Sequence, residues 1–514
     1  MPSSRGFALS LTVLAAVALL GLRAAAQTAA EDPAAVFQRA TALFEQGRYS
    51  NALDAYDAAM RRGDLALADR ARRGKVRSAL RVAEFDMAWR EAEYLNTVQF
   101  ADAESRTLLG DALWAIGRFD EADTAFRQAL EMMPGFTRAR FGLARSLASR
   151  NSLEEALRES LIAAGEAPKD PEIHALVGHV YERLNQYPEA IEAFERYVAL
   201  LPPRAPKEEN QMAAVFQSKI RLLRSFRDRV PMEIEGNPDS IHRVPFRLVD
   251  RKIVLHGRVN RTSVEFVLDT GSERTGVSDV TARRAGLRPI TSTLTAGVGI
   301  PSLRRLDMSR AEVLEVGGLR MRNVPIAIRG PLRNALPRWQ KESLSPLSLG
   351  LSVAIDYQRR EVAFARTLPE SEADFVLPMR MNRLPMVRGL LNSSHPAYFV
   401  VDTGGELISI SAETATALDM KPPRRIPLRV YGMSGLDANA YLLPGVDVDF
   451  DEIEYRNVGL AVLNLRAPSV LLGFQVGGIV GHRFLSGYRV AMDMARGQLR
   501  LERFGGSASV AGSR

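Results

Sequence analysis

Two short stretches of the chain place Asp, Thr and Gly directly after a run of apolar residues. The first, EFVLDTGSERTGVS, covers residues 265–278, and the second, YFVVDTGGELISIS, covers residues 398–411. A carboxylate at the end of a buried strand is costly unless it is hydrogen-bonded or takes part in chemistry. The Gly permits a sharp turn that would carry Asp269 or Asp402 out of the sheet. Each stretch is therefore a candidate catalytic turn.

Two such turns facing each other would bring Asp269 and Asp402 together. Like charges in contact cannot both ionise readily, so the pair would share one proton. One carboxylate could then act as general base on a water molecule, while its protonated partner polarises a substrate carbonyl. Proton affinity belongs to the pair, so the residue pattern leaves the acid and the base unassigned. The alternative for each Asp alone is a turn-forming or capping residue.

The second half of the chain consists of short apolar or alternating runs separated by Gly and Pro, which predicts strands. Its features occur twice in the same order. Asp269 and Asp402 stand 133 positions apart, Asp356 and Asp493 stand 137 apart, and the Arg-Asn-Val triplets that begin at Arg322 and Arg456 stand 134 apart. We therefore predict an internal duplication, with one lobe over residues 246–370 and a second over 371–506, preceded by a linker at 231–245.

Together these motifs resemble the retropepsin-like aspartic proteases, over residues 245–505. The resemblance implies two β-barrel-like lobes with the active site at their junction, and Asp269 and Asp402 as the catalytic dyad. It implies that Thr270 and Thr403 brace the dyad. The other residues that support the turns are Gly271, Ser272, Gly404 and Gly405, the family's hydrophobic-hydrophobic-Gly signature matches Ile479, Val480 and Gly481, and the flap candidates are Gly297, Gly299, Gly432 and Gly435.

Two departures from the family pattern bear on activity. In lobe 1 the segment aligned with GIVGHRFLSG (478–487) is KESLSPLSLG (341–350), so the hydrophobic-hydrophobic-Gly element is missing or shifted. In lobe 2 the Asp-Thr-Gly motif is followed by Gly405, whereas lobe 1 has Ser272, whose hydroxyl we expect to hydrogen-bond its Asp. The departures leave a second interpretation open, in which the module has lost catalysis and retains peptide binding.

The first half of the chain repeats a helical pattern every 34 residues. Ala122, Ala156 and Ala190 follow this step, as do the small residues Gly110, Ala144 and Gly178 on the preceding helices. Small residues let neighbouring helices approach closely, and large ones fill the space between them. The pattern resembles the tetratricopeptide repeat (TPR), with about five units over 33–204 and a capping helix over 205–230. The resemblance implies an all-α solenoid whose concave face binds peptides or partner proteins, with a spacer or oligomerisation arm as the alternative.

The amino-acid composition excludes several kinds of functional site. The 514 residues are 25% charged and 46% hydrophobic, as in soluble globular proteins of two or three domains. Cys is absent, which excludes thiol catalysis, disulfides and Cys-based metal sites. The six His residues form no cluster with the spacing of metal ligands, so we expect neither a metal nor a cofactor. The formal net charge of +8 comes from scattered Lys and Arg, so we expect no nucleic acid partner.

The N-terminus predicts export. An apolar run over residues 8–22 follows Arg5 and precedes an Ala-x-Ala sequence at 24–26, a pattern typical of a secretory signal peptide over residues 1–26. An uncleaved single-span anchor is the alternative, although the run is short for a membrane span. After cleavage we expect a periplasmic protein or, alternatively, a secreted one. Residues 507–514 are expected to be a disordered tail.

The sequence therefore predicts a multidomain protein, in which an all-α TPR solenoid precedes an all-β two-lobed aspartic protease module. We expect an exported aspartic endopeptidase whose Asp269/Asp402 pair activates water to hydrolyse peptide bonds. The repeats would recruit a protein or peptide substrate, or a partner protein. The alternative is a peptide-binding or scaffold protein that uses the repeats and the groove between the lobes. The lobes could pair within one chain or between two chains.

Overall fold

The structure, a computed structural model, describes residues 31–201, 207–299, 302–330, 341–420, 426–432 and 435–504. A helical array is followed by two β-rich lobes. The predicted signal peptide and C-terminal tail lie outside the described residues. Within the described ranges, no helix is long and apolar enough to cross a membrane.

The array consists of five helical hairpins and one further helix. In chain order these are α1 (Pro33–Glu45), α2 (Tyr49–Arg62), α3 (Leu65–Arg81), α4 (Phe85–Val98), α5 (Ala103–Ala115), α6 (Phe119–Met132), α7 (Thr137–Ser149), α8 (Leu153–Glu166), α9 (Pro171–Arg183), α10 (Tyr187–Leu200) and α11 (Lys207–Arg224). The hairpins fill the predicted repeat region, and α11 lies in the predicted capping segment.

The 34-residue period of the sequence has a direct packing cause. A Cβ atom on Gly110 would lie 2.6 Å from a ring carbon of Phe126, and one on Gly178 would lie 2.5 Å from the ring of Phe194. Only Gly leaves room for an aromatic ring of the next helix at these places, so the two helices of a hairpin can pack closely. Asp102 also caps the first turn of α5, because its carboxylate accepts a hydrogen bond from the Ser105 N–H at 2.8 Å.

The two lobes are built almost entirely of strands. Lobe 1 contains β1 (Glu233–Ile234), β2 (His242–Pro245), β3 (Arg247–Val249), β4 (Lys252–Val259), β5 (Thr262–Leu268), β6 (Gly276–Ser278), α12 (Asp279–Arg284), β7 (Thr291–Thr295), β8 (Arg304–Val316), β9 (Leu319–Arg329), β10 (Ser343–Leu344), β11 (Ser352–Asp356) and β12 (Glu361–Ala365). Lobe 2 contains β13 (Phe375–Asn382), β14 (Leu384–Leu391), β15 (His395–Val401), β16 (Ser409–Ser411), α13 (Ala412–Ala417), β17 (Ile426–Pro427), β18 (Val430–Gly432), β19 (Gly435–Asp437), β20 (Tyr441–Phe450), β21 (Ile453–Leu463), α14 (Arg466–Leu472), β22 (Gly478–Val480), α15 (His482–Leu485), β23 (Tyr488–Asp493) and β24 (Gln498–Arg503).

The predicted duplication is visible in the strand pairing. β10 pairs in parallel with β5 and antiparallel with β6. In the same way, β22 pairs in parallel with β15 and antiparallel with β16. In lobe 1 the candidate catalytic Asp directly follows β5, the parallel partner of β10. In lobe 2 it directly follows β15, the parallel partner of β22. The lobes are thus related by an approximate twofold repetition of one plan.

A sheet made from both lobes joins them within one chain. Its strand order is β2-β12-β11-β23-β24-β13, and β11 pairs antiparallel with β23 at the junction. One buried apolar cluster runs through both lobes. Across the junction, Arg489 donates from Nε to a carboxylate oxygen of Asp356 at 2.9 Å. Of the two arrangements open from the sequence, the structure therefore has the lobes paired within one chain.

Residues 231–245, predicted as a linker, belong to lobe 1 instead. β1 pairs with β9, and β2 pairs with β12 at the edge of the sheet between the lobes. An edge strand tolerates Pro245, because the missing N–H removes no bond from the sheet interior. The Pro and Gly residues of this segment thus mark turns between short strands rather than a free tether.

The array is docked on lobe 2 through an apolar contact and a buried ion pair. The ring of Phe119, at the start of α6, lies 4.7 Å from that of Tyr398 and 5.1 Å from that of Phe474 between centroids. Arg380 of β13, which is 3% exposed, donates from Nη2 to carboxylate oxygens of Asp120 and Asp123, each at 2.7 Å. Because this contact is buried and paired in charge, the third repeat and lobe 2 form one unit.

The last helix of the array contacts lobe 1. Arg221 of α11 donates from Nε to Thr291 Oγ1 at 3.0 Å, and that hydroxyl donates to Ser218 Oγ at 3.1 Å. Leu222 packs against a small apolar cluster that includes Leu306 and Met308 of β8. Through α6 and α11 the array therefore contacts both lobes.

Candidate active site

The turns that carry Asp269 and Asp402 face each other at the lobe junction. The Asp269 N–H donates to the carbonyl oxygen of Leu344 at 2.9 Å, and the Asp402 N–H donates to that of Val480 at 3.0 Å. A Cβ atom on Gly271 would lie 2.4 Å from Asp402 Cγ, and one on Gly404 would lie 2.9 Å from Asp269 Oδ1. Gly is therefore required after each Thr for the two carboxyls to come together.

Thr270 and Thr403 lock the two turns with reciprocal hydrogen bonds. The Thr270 N–H donates to Thr403 Oγ1 at 3.2 Å, and the Thr403 N–H donates to Thr270 Oγ1 at 3.0 Å. Each hydroxyl in turn donates across the junction, Thr270 to the Val401 carbonyl and Thr403 to the Leu268 carbonyl, both at 2.7 Å. Both Thr residues are fully buried. The two turns that carry the carboxyls are thus fixed by a buried network of hydrogen bonds that excludes solvent.

The environment makes the two carboxyls share a proton. Burial raises the pKa of both, and repulsion from Asp402 adds to this effect at Asp269, whose pKa rises to about 7. At Asp402 the N–H groups of Gly404, Gly405 and Gly271 oppose the rise, and the Gly404 N–H lies 2.7 Å from Oδ1. Donors to a carboxylate favour its ionised form. Near neutral pH the arrangement therefore favours one negative charge on the pair.

Two cations from lobe 1 lie beside the pair. Lys252, the buried first residue of β4, donates from Nζ to the carbonyl oxygen of Gly404 across the junction. Arg329, the last residue of β9, donates from Nη2 to Ser343 Oγ at 2.5 Å. Both positive charges lower the pKa of Asp269, and that of Lys252 also lowers the pKa of Asp402. They therefore oppose the effect of burial and favour the singly ionised pair.

The contrast between Ser272 and Gly405 does not alter the hydrogen bonding of the dyad. The Ser272 hydroxyl donates to the carbonyl oxygen of Arg274 at 3.0 Å, and not to Asp269 as the sequence led us to expect. The motif places this hydroxyl on the far side of the turn, where it closes the loop that follows. A Cβ atom on Gly405 would lie 3.1 Å from Asp402 Oδ2, so Gly here leaves space beside that carboxyl.

Lobe 1 has a counterpart of the hydrophobic-hydrophobic-Gly element, shifted by one residue from the alignment of the sequence. Leu344 pairs with Leu268 as Val480 pairs with Val401. The triplet Ser343-Leu344-Ser345 therefore stands where lobe 2 has Ile479-Val480-Gly481. The element is present as a strand, but two of its three residues are polar.

Ser345 compensates for a backbone donor that lobe 1 lacks. In lobe 2 the His482 N–H donates to the Gly405 carbonyl at 2.9 Å. The equivalent residue of lobe 1 is Pro346, which has no N–H. There the Ser345 hydroxyl donates to the Ser272 carbonyl at 2.6 Å, so the loop after the Asp turn is fixed in both lobes.

The flap candidates of the two lobes meet at their tips. Gly297 and Gly299 lie between β7 and β8, and Gly432 and Gly435 pair in the β18–β19 hairpin. A Cβ atom on Gly299 would lie 2.4 Å from the carbonyl oxygen of Gly435, and one on Gly432 would lie 2.1 Å from that of Val298. Side chains at these two positions would push the flaps apart.

A cavity of about 1950 Å³ lies between the array and the lobes. Its wall includes Arg138, Arg145 and Lys219 of the array. From the lobes it includes Arg383 and also Glu273 and Arg274, which follow the Asp269 turn. Arg383 of lobe 2 donates from Nε to Glu273 of lobe 1 at 3.0 Å. The cavity does not contain the dyad, but it reaches the loop next to it.

The sequence reasoning missed Lys252 and Arg329. The duplication offered a signal, because each cation stands where the other lobe has an apolar residue. Lys252 corresponds to Leu384 at the start of β14, and Arg329 corresponds to Leu463 at the end of β21. In the described part of the chain, no group of three or more His, Cys, Asp and Glu residues could hold a metal ion. The site thus offers two carboxyls, two neighbouring cations and buried hydrogen-bond donors.

Comparisons with known proteins match the two halves separately. The family model described as "Tetratricopeptide repeat" matches residues 107–171 and 157–206, and the one described as "Aspartyl protease" matches residues 255–353. No curated protein sequence matches the chain.

Similar solved structures also divide between the halves. A thermophilic TPR protein of Thermus thermophilus is 16% identical over 34% of this chain and 93% of its own, with a TM-score of 0.30. An aspartic proteinase from Irpex lacteus is 13% identical over 53% of this chain and 100% of its own, with a TM-score of 0.34. Over the residues that the two family models match, the chain contains tetratricopeptide repeats and an aspartyl protease domain.

Proposed function

We propose that the protein is an exported aspartic endopeptidase whose Asp269/Asp402 pair activates a water molecule for peptide hydrolysis. The observation that carries the proposal is the facing pair of Asp turns, locked by Thr270 and Thr403. Burial and mutual repulsion raise the pKa of Asp269 to about 7, which suits a pair that holds one proton. A turn-forming role alone would not require the two carboxyls to be buried against each other.

The arrangement supports a division of roles between the carboxyls. Asp402 accepts the Gly404 N–H and is the better site for the negative charge, so it removes a proton from the attacking water. Asp269 carries the shared proton and donates it to the carbonyl oxygen of the scissile bond as water adds and the carbonyl carbon becomes tetrahedral. Asp402 then gives the proton taken from water to the amine nitrogen as the C–N bond breaks, and a hydroxyl of the tetrahedral intermediate returns a proton to Asp269, which regenerates the singly protonated pair. No metal or cofactor takes part in this scheme.

We propose further that the array recruits the protein or peptide substrate. The support is the cavity between the array and the lobes, which reaches Glu273 and Arg274 on the loop after Asp269. A bound segment in this cavity would be close to the loop that carries a catalytic residue, and its local concentration at the cleft would rise. The buried contact between Phe119 and lobe 2 keeps the array at a fixed distance from the cleft.

Export and a periplasmic location remain part of the proposal and rest on the sequence of residues 1–26. Cell fractionation followed by N-terminal sequencing of the mature chain tests them. We expect the protein outside the cytoplasm, with its first residue close to position 27. A mature chain that starts at Met1 and fractionates with the cytoplasm would contradict export.

A peptide library with mass-spectrometric detection tests the activity itself. The full chain is incubated with a diverse peptide mixture at several pH values, with and without a peptide that contains a statine, a mimic of the tetrahedral transition state. We expect cleavage that the statine peptide blocks. Binding of peptides without cleavage at any pH from acid to neutral would favour a non-catalytic peptide-binding protein instead.

A further inference from the structure

The approximate twofold repetition allows the two sides of the cleft floor to be compared. Side chains alternate along a strand, and Val480 points into the core, so Ile479 points the other way. Ile479 lies beside the Asp402 turn, since its Cγ2 is 3.5 Å from the place of a Cβ atom on Gly405. It packs against the same apolar cluster as Leu463 at the end of β21. Lobe 2 therefore presents an apolar surface next to its catalytic turn.

Lobe 1 has polar residues at both corresponding positions. Ser343 pairs with Gly276 as Ile479 pairs with Ser409, so Ser343 occupies the place of Ile479. Arg329 pairs with Ser278, as Leu463 pairs with Ser411. Leu344 is buried in the core, so Ser343 points away from it and to the cleft side.

The guanidinium group of Arg329 is held in the space left by a glycine. A Cβ atom on Gly276 would lie 2.9 Å from Arg329 Nε and 3.0 Å from Cζ. Nη2 donates to Ser343 Oγ at 2.5 Å, which fixes the planar group beside the floor of the cleft. The positive charge of Arg329 also lowers the pKa of Asp269.

Arg329 has hydrogen-bonding capacity that the described residues do not use. Nη1 is shielded from solvent and has no hydrogen-bond partner among them. The charge of the neighbouring Glu342 acts on Arg329, but its hydrogen bonds go to other residues, because one of its oxygens accepts from Ser278 Oγ at 2.7 Å and from Thr281 Oγ1 at 2.6 Å. Leaving a buried cationic donor unpaired is costly, and an anionic acceptor would offset that cost.

We infer that the lobe 1 side of the cleft binds a carboxylate side chain of the substrate, Asp or Glu, close to the scissile bond, with Arg329 as the residue that selects it. The lobe 2 side, where the partly buried Ile479 stands, takes an apolar side chain. The inference rests on the proposed endopeptidase function and specifies its substrate class. Ser343 assists by fixing the guanidinium group, so it acts as a positioning residue.

Cleavage-site profiling of the peptide library tests the inference. For the wild-type chain we expect Asp and Glu to be enriched at least about tenfold over Asn and Gln at one position on one side of the cleaved bond. The corresponding position on the other side should be apolar. Arg329→Leu, which installs the lobe 2 residue in lobe 1, should abolish the acidic preference and leave apolar preferences on both sides.

A binding measurement separates this inference from the question of catalysis. Calorimetry with two statine peptides that differ only in Glu or Gln at the selected position should give at least about tenfold tighter binding of the Glu peptide to wild type, and no preference with Arg329→Gln. This result would stand even if the library showed no cleavage. Circular dichroism checks that each variant is folded, and Arg258→Leu, which removes an exposed Arg of β4, controls for the loss of one positive charge.

The outcomes are distinct. Loss of the acidic preference in Arg329→Leu and Arg329→Gln, with the preference kept in Arg258→Leu, supports the inference. A wild type without acidic preference in either experiment overturns it, as does a preference that persists in both Arg329 variants. Binding that depends on Arg329 in a chain that does not cleave peptides would uphold the inference and contradict the proposed activity.

Discussion

At the scale of the residue, the cleft is asymmetric in charge although its backbone is repeated. Lobe 1 contributes Lys252 and Arg329 beside the dyad, where lobe 2 has Leu384 and Leu463. Burial raises the pKa of the dyad, and these cations lower it. The balance sets the pH range in which the pair holds one proton, which is the form that can both accept and donate a proton. The pH dependence of catalysis should therefore respond to either cation.

Replacing Lys252 with Met should shift the pH profile of kcat/KM upward. The positive charge of Lys252 favours the ionised carboxyls, so its removal makes both protons of the pair harder to lose. Activity should then begin and end at higher pH than in wild type, where the loss of activity on the alkaline side is expected near the pKa of about 7 of Asp269. Lys169→Met, at an exposed position of the array, should leave the profile unchanged. An unshifted profile, or a shift to lower pH, would show that Lys252 does not act on the dyad.

At the scale of the element, the two flaps depend on glycine where they meet. Gly299 has a φ of +124° and lies against the backbone of Gly435. A side chain at this position would be disfavoured by the backbone conformation and would also clash with Gly435. Each lobe contributes one of the two contacting segments. Closure over a substrate should therefore require both tips to approach without side chains between them.

Gly299→Ala should lower kcat/KM by about tenfold or more, mainly through a higher KM, because the flaps can no longer meet over the substrate. Steady-state kinetics with a peptide from the library measures this. The control is Gly318→Ala in the β8–β9 turn, where a Cβ atom would meet nothing within 4 Å. Equal kinetic losses in the two variants would mean that the tip contact has no role in catalysis.

The features of the molecule that could be predicted from the sequence are those that depend on short, local residue patterns. The 34-residue period identified the repeats because a small residue recurs where neighbouring helices approach closely, and at Gly110 and Gly178 it faces an aromatic ring of the next helix. The paired Asp-Thr-Gly turns predicted that Asp269 and Asp402 lie together, because only glycine after each Thr lets the two carboxyls approach. The placement of the strands that support them follows from the same duplication.

The parts that could not be predicted depend on contacts between distant residues. Lys252 reaches Gly404 across 152 positions, and Arg380 reaches Asp120 across 260. Neither contact leaves a local pattern, because each partner is a single charged or backbone group in an unrelated segment. Composition also misassigned residues 231–245, since Pro and Gly occur in the turns of edge strands as well as in linkers. The replacement of the His482 N–H of lobe 2 by the Ser345 hydroxyl in lobe 1 likewise becomes visible only when the strands are paired.

At the scale of the whole molecule, the array is a structural part of the protease module. Its third repeat shares an apolar cluster with lobe 2, and α11 contacts β7 and β8 of lobe 1. β7 and β8 flank the candidate flap of lobe 1, so α11 contacts the strands on both sides of that segment.

A truncated chain that begins at Asp228 should be insoluble or aggregate. Without the array, the rings of Tyr398 and Phe474 lose the partner that covers them, and Arg380 loses Asp120 and Asp123 while it stays buried in part. Size-exclusion chromatography and thermal unfolding, with the full chain as control, measure the effect. A monomeric fragment with cooperative unfolding at the temperature of the full chain would show that the array is dispensable for the lobes.

The proposed activity requires that Asp269 and Asp402 act together in the hydrolysis of peptide bonds. The most direct measurement is kcat/KM on a library-derived peptide for wild type, Asp269→Asn and Asp402→Asn, with Asp239→Asn, in an exposed turn, as the control. We predict that each dyad variant loses at least about a thousandfold in kcat/KM while it keeps the circular dichroism spectrum of wild type, and that the control retains full activity. A dyad variant that cleaves the peptide at the wild-type rate would contradict the account.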